Sequence, residues 1–178
     1  MMPEMLDVVD ENDNVIGRQS RAAVHGSRMW HRGIHVFMFD RGGNFIVQKR
    51  SMKKDKSPGL FDCLSGHVKS GFTYDETARE ELEEEIGLTG EPAPMIKLKM
   101  KYGGTDWMIT KLYRITVDPS QIEIDRDEIE NLATLSGSEL KSMIRKSPEK
   151  FTRWFLELLK WHLGEKSLID VMEKYQKA

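Results

Sequence analysis

The segment that most restricts what this chain can become is a run of thirteen residues from Asp75 to Gly87 that holds seven acids and one base, Arg79. A solvated helix normally mixes its charges, because like charges four residues apart repel by a few tenths of a kcal/mol per pair. Here Glu76/Glu80, Glu80/Glu84 and Glu81/Glu85 are all like pairs at that spacing. Gly87 sits where a left-handed helix terminator belongs, so Thr73–Ile86 reads as a helix. At ~100° per residue, Ala78, Leu82 and Ile86 form one buried stripe. Glu81, Glu84 and Glu85 fall on the adjoining arc with Glu85 nearest the stripe, while Glu76, Glu80 and Glu83 face solvent. Three carboxylates at the edge of a core are costly when charged and unpaired. A hard divalent cation, Mg²⁺ or Mn²⁺, is the natural counter-charge. The alternative is a helix that is merely acidic and solvated.

Around this helix the chain reads mostly as strands. Leu6–Asp10 and Val15–Arg18 flank an Asn-Asp-Asn turn; Ile34–Asp40 and Asn44–Lys49 flank Arg41-Gly42-Gly43; Met95–Tyr102 and Trp107–Val117 flank Gly103–Asp106. Each pair suggests a hairpin. Toward the end, Ser136-Gly137-Ser138-Glu139 has capping-box spacing, and Ser147-Pro148 resembles a helix start. Phe151, Trp154, Phe155, Leu158 and Leu159 then share one apolar helical face, which reads as core rather than substrate pocket. Gly164 stops that helix, and Ser167-x-x-Asp170 predicts a last short helix carrying Leu168, Val171, Met172 and Tyr175. These four residues fit either a core edge or a homodimer contact. The expectation is a single α/β domain over residues 1–178, with an N-terminal hairpin and lead-in to about residue 30 and a helical extension over 147–178.

Composition narrows the function classes. Twenty-seven basic side chains nearly cancel 29 acidic ones, which argues against a broad nucleic-acid-binding face. The single cysteine excludes an internal disulfide and a multi-cysteine metal site. The acidic start MMPEMLDVVDENDN lacks the pattern of a signal peptide, and no apolar run approaches a membrane span. A cytoplasmic setting is the expectation, with no membrane and no nucleic-acid polymer as partner.

Two further segments bear on chemistry. Gly66 and Gly71 lie in the short strand and loop that lead into the acidic helix, and glycine permits close backbone approach to a ligand. The loop from Gln48 to Lys56 is basic and ends at Ser57-Pro58-Gly59. A carboxylate cluster for a cation, a glycine-bearing loop and a basic loop together suit a metal-bound diphosphate.

Gly66–Leu88, GHVKSGFTYDETAREELEEEIGL, resembles the Nudix box, G-x5-E-x7-R-E-U-x-E-E-x-G-U, where U is aliphatic. Gly66, Glu81, Leu82, Glu84, Glu85, Gly87 and Leu88 match in register. The resemblance implies the Nudix fold, a mixed β-sheet between α-helices. It also implies that Glu81, Glu84 and Glu85, with Gly66, bind Mg²⁺ or Mn²⁺, and that Glu81 or Glu84 takes the proton from water as a diphosphate linked to a group X is cleaved. Two positions depart from the box: Phe72 replaces its first Glu, and Glu80 its Arg. Beyond the box, the opening DVVDENDNVIG, the Met29–Arg32 segment, the QKRS loop and Phe151–Phe155 resemble the branch that includes type 1 isopentenyl-diphosphate isomerase and its hydrolase-like relatives. That resemblance implies a second metal constellation at His25, His31, His67 and Asp106, with Gly104 where a further acid is expected. It also implies that Arg50 and Lys54 grip the diphosphate. The isomerase needs a Cys where this chain has Ser65, and carries Arg where it has Glu81. Cys63, two residues away in a strand, is displaced by ~6–7 Å. The expected activity is therefore hydrolysis of a small diphosphate-linked molecule. The alternatives are an isomerase-like enzyme, in which His31 and His67 are ligands and not structural residues, and a diphosphate-binding module without catalysis.

Overall fold

The structure, a computed structural model, describes residues 3–102 and 106–175. The elements run β1 (Met5–Val9), β2 (Val15–Ser20), α1 (Arg21–Gly26), β3 (Trp30–Phe39), β4 (Phe45–Arg50), β5 (Phe61–Asp62), β6 (Leu64–His67), α2 (Tyr74–Ile86), β7 (Ala93–Tyr102), β8 (Asp106–Thr116), β9 (Ile129–Leu135), α3 (Gly137–Lys146), α4 (Arg153–His162) and β10 (Asp170–Lys174). The turn expected at Gly103–Asp106 lies, up to Thr105, outside the described residues.

The described strands join into one mixed sheet ordered β10-β7-β8-β3-β1-β2, with β6 and β4 also on β3 and with β5 and β9 on β4. β3 is its centre. It runs parallel to β8 from Trp30/Trp107 to Phe39/Thr116. Its other edge pairs first with β1 at His31/Val8, next with β6, Gly33/His67 to Val36/Leu64, and then with β4 only at Met38 and Phe39. Side chains alternate across a strand. Ile34, Val36 and Met38 therefore pack under α2 against Ala78, Leu82 and Ile86, while Phe37 and Phe39 pack on the opposite face against Phe155, Leu158 and Leu159 of α4. The sheet is thus held between helices, as an α/β Nudix fold requires.

Local signals explain α2. Thr73 and Glu76 form a reciprocal capping box, and Gly87 ends the helix in the left-handed region at φ 68°. The Ser147-Pro148 signal starts a short 3₁₀ turn over Pro148–Lys150, and α4 begins later, after Thr152. The predicted last helix is instead strand β10. Its Asp170 and Val171 lie opposite Lys99 and Leu98 of β7, and Asp170–Lys99 and Glu173–Lys97 are opposite-charge pairs at 3.8 Å. A neighbouring strand supplies both hydrogen bonds and counter-charges, which outweighs the weak helical spacing. Residues 147–178 are accordingly a helix followed by an edge strand as far as they are described. No described helix is long and apolar enough to cross a membrane.

Candidate active site

A cleft of ≈ 670 Å³ opens where β6 replaces β4 beside β3. Its wall includes Arg50, Lys54, Gly66, Glu85, His25, His67 and Asp106, drawn from segments far apart in sequence.

The inner edge of α2 supplies the carboxylates. Glu85 is only 7% exposed, Glu81 is half-buried and Glu84 is exposed. Glu81 fills the space left by the missing side chain of Gly66: a Cβ there would lie 1.9 Å from Glu81 Oε1. Burial raises the Glu81 carboxyl to about 7, helped by the charge of Glu84. Burial first, then the charges of Glu81 and Glu128, pushes Glu85 well above the carboxylate range, and Lys54 opposes that rise. Glu85 Oε2 is buried with no hydrogen-bond partner among the described residues. An all-oxygen donor set of adjacent, under-neutralised carboxylates fits a hard divalent cation. Glu80, at the position of the box's Arg, turns to Lys69 at 3.8 Å; Arg79 pairs with Glu91 at 2.7 Å, and Phe72 is exposed beneath Lys69. None of the three replaces the missing Arg.

A second cluster faces the same cleft. His25 on α1, His31 on β3 and His67 on β6 bring one ring nitrogen each within 4.8 Å of one another. Asp106 hydrogen-bonds His25 Nδ1, and His25 Nε2 lies 3.2 Å from His67 Nε2. His31 Nδ1 donates to the Met29 carbonyl at 3.0 Å, which leaves Nε2 buried and without a partner among the described residues. Burial lowers His31 to about 4 and His67 well below its ordinary value. Imidazoles oriented by carbonyl and carboxylate partners are suited to ligate a metal. The four residues of the expected constellation are therefore together; Gly104 lies outside the described residues.

The cations stand opposite the carboxylates. Lys54 pairs with Glu128, which lines the cleft. Arg50 Nη1 bonds Asp62 Oδ2 at 3.0 Å, and its guanidinium lies 5.8 Å from the Trp154 ring. Asp62 is fully buried and also accepts from Thr152 Oγ1 at 3.0 Å, Trp154 Nε1 at 2.8 Å and the Cys63 backbone at 2.9 Å. Burial outweighs Arg50 and raises Asp62 to about 6. Trp154, expected to be core, packs against the core and also lines the cleft, with this hydrogen bond turning its indole edge toward Asp62. Ser65 also lines the cleft, whereas Cys63 is buried 3.8 Å from His35 Nδ1 and does not. Sequence reasoning missed Asp62, His35, Tyr102 and Glu128. Only His35 carried a signal, since it lies four residues from His31 and so on the same face of β3.

Fold and site together define one cleft lined by both cationic and acidic side chains. The NUDIX domain profile matches residues 29–155, and the chain belongs to the Nudix family. An uncharacterized Nudix hydrolase of Clostridium acetobutylicum is 32% identical over 152 residues, covering 79% of this chain and 73% of that protein. An isopentenyl-diphosphate Delta-isomerase of Serratia proteamaculans is 30% identical over 176 residues, covering 89% and 91%. A crystal structure from Deinococcus radiodurans superimposes with a TM-score of 0.72 at 23% identity, over 89% of this chain and 98% of that one.

Proposed function

We propose that the protein is a divalent-metal-dependent hydrolase that cleaves the diphosphate linkage of a small nucleoside-diphosphate-X-type molecule in the cytoplasm. The observation that carries this reading is that Glu85 shares one cleft with Arg50, Lys54 and Gly66, with Glu81 packed against Gly66 behind it. Glu81, Glu84 and Glu85, with the Gly66 carbonyl, are the residues that would hold Mg²⁺ or Mn²⁺. Such a cation supplies charge neutralisation at the diphosphate and a more acidic bound water. Arg50, fixed by Asp62, and Lys54, released from Glu128, neutralise phosphate oxygens. Glu81 or Glu84 would take the proton from water. The test is product release from a panel of nucleoside and prenyl diphosphates with Mg²⁺, Mn²⁺ or EDTA, for wild type and Glu85→Gln. Metal-dependent turnover that is lost in the variant supports the reading; unchanged turnover in Glu85→Gln refutes it.

The gathered His25/His31/His67/Asp106 cluster favours a second reading, an isomerase of prenyl diphosphates. Against it, Ser65 faces the cleft where the resembled isomerase has a thiol, and a hydroxyl is the poorer proton carrier. Isomerisation requires solvent deuterium to enter the recovered isoprenoid, and its absence rules this reading out. Strong binding of a diphosphate with no turnover in either assay would leave a binding module.

A further inference from the structure

Resting on the diphosphate reading above, we propose that His35 and Tyr102 form a subsite that binds an uncharged oxygen, hydroxyl or carbonyl, on the group X, so that a purely hydrocarbon X is discriminated against. Both residues line the cleft, and both are buried, at 2% and 6% exposure. His35 Nε2 and Tyr102 Oη have no hydrogen-bond partner among the described residues. Buried polar atoms in native structures are overwhelmingly paired, so two unpaired ones in the wall of one cleft point to a ligand that pairs them.

The surroundings fix what that ligand atom is. Burial lowers the His35 imidazole to about 3, so it is neutral at physiological pH. The buried Cys63 thiol, raised well above its ordinary value, keeps its proton and stands 3.8 Å from His35 Nδ1. An S–H donating to Nδ1 leaves the imidazole proton on Nε2, which is then a donor. Tyr102 is likewise a neutral hydroxyl. Two neutral donors away from water suit an uncharged oxygen acceptor, while a phosphate oxygen is better served by Arg50 and Lys54.

The subsite is separate from the phosphate end. Met108 lies across Gly33, where a Cβ would meet its Cε at 2.0 Å, and so covers β3 between His31 and His35. On the other side, the Trp154 ring stands between the Arg50 guanidinium at 5.8 Å and the Tyr102 ring at 6.3 Å. A diphosphate held by Arg50 would therefore extend its X group along Trp154 toward Tyr102 and His35.

The test compares the methylene-diphosphonate analogues of dimethylallyl diphosphate and of its 4-hydroxy derivative, which differ by one hydroxyl and cannot be cleaved between their phosphorus atoms, by calorimetric titration in Mg²⁺ buffer. Wild type is expected to bind the hydroxylated compound at least about tenfold more tightly, the scale of one satisfied hydrogen bond in a dry pocket. Tyr102→Phe, which removes a single oxygen, and His35→Leu each shrink that ratio severalfold, and His35→Gln, which keeps a donor, restores part of it. Arg50→Ala weakens both compounds alike and leaves the ratio in place. Equal wild-type affinity for the two compounds, or a ratio unmoved by Tyr102→Phe and His35→Leu, overturns the subsite while the diphosphate reading stands. No binding of either compound overturns the subsite as well, while the diphosphate reading is judged by the nucleoside diphosphate panel.

Discussion

Removing a carboxylate from the inner edge of α2 should stabilise the metal-free protein. Glu81 is raised to about 7 by burial and by the charge of Glu84. In the unfolded chain a Glu titrates near the ordinary value of ~4.3, so between these pH values the native state retains a proton that the unfolded state releases. The contribution of this group is fully present below the unfolded pKa and is lost as pH rises through 7, an amount of roughly 4 kcal/mol across the window. Glu85 is shifted in the same direction by its own burial and by Glu81. Gln at position 85 carries no charge, and its amide can donate to Glu81. In EDTA at pH 8, Glu85→Gln is therefore expected to exceed wild type by ~1–3 kcal/mol, with a difference near zero at pH 5. Mg²⁺ at a thousand times its Kd adds about 4.1 kcal/mol to wild type and far less to the variant, so their order reverses. Urea denaturation at the two pH values, with and without Mg²⁺, measures all of these. A metal-free variant less stable than wild type at pH 8, or equal stabilisation of both proteins by Mg²⁺, would refute the reasoning.

Other perturbations separate site from scaffold. Asp62→Ala leaves Arg50 buried without its counter-charge and frees Trp154, so unfolding should shift by ~3–5 kcal/mol with diphosphate affinity falling too, read by denaturant midpoint and calorimetry. Gly66→Ala places a methyl 1.9 Å from Glu81 Oε1; Mn²⁺ affinity should drop at least about tenfold, with ~1–3 kcal/mol of stability lost, as equilibrium dialysis and urea melts would show. Asp13 gathers Arg32 at 2.7 Å, Lys97 at 2.5 Å and Tyr74 at 3.1 Å far from the carboxylates in sequence. Asp13→Ala should therefore cost ~2–4 kcal/mol while leaving diphosphate affinity unchanged.

What the sequence revealed was local. The Thr73/Glu76 cap, the Ala78–Leu82–Ile86 stripe and Gly87 all lie within one helix, and the structure reproduces that helix nearly residue for residue. The carboxylate edge was readable for the same reason, as was its graded burial from Glu85 to Glu84. The rest depended on distant partners. β10 is a strand because β7 lies beside it, and nothing in Asp170–Lys174 announces that neighbour. Trp154 reads as core from its helical spacing, but its placement is set by Asp62, 92 residues away. The six-residue α1, started by Ser20, was too short to carry an apolar period, yet it delivers His25 to His31 and His67.

The central claim is that the glutamate edge of α2, in preference to the histidine cluster, holds the cation that meets the diphosphate. Mn²⁺ titration followed by electron paramagnetic resonance tests this most directly, with and without methylene diphosphonate as a diphosphate that cannot be hydrolysed. The account predicts that the diphosphonate tightens Mn²⁺ binding at least about tenfold in wild type and in His31→Gln, and that Glu85→Gln abolishes the gain. A gain that survives Glu85→Gln and disappears in His31→Gln would contradict it.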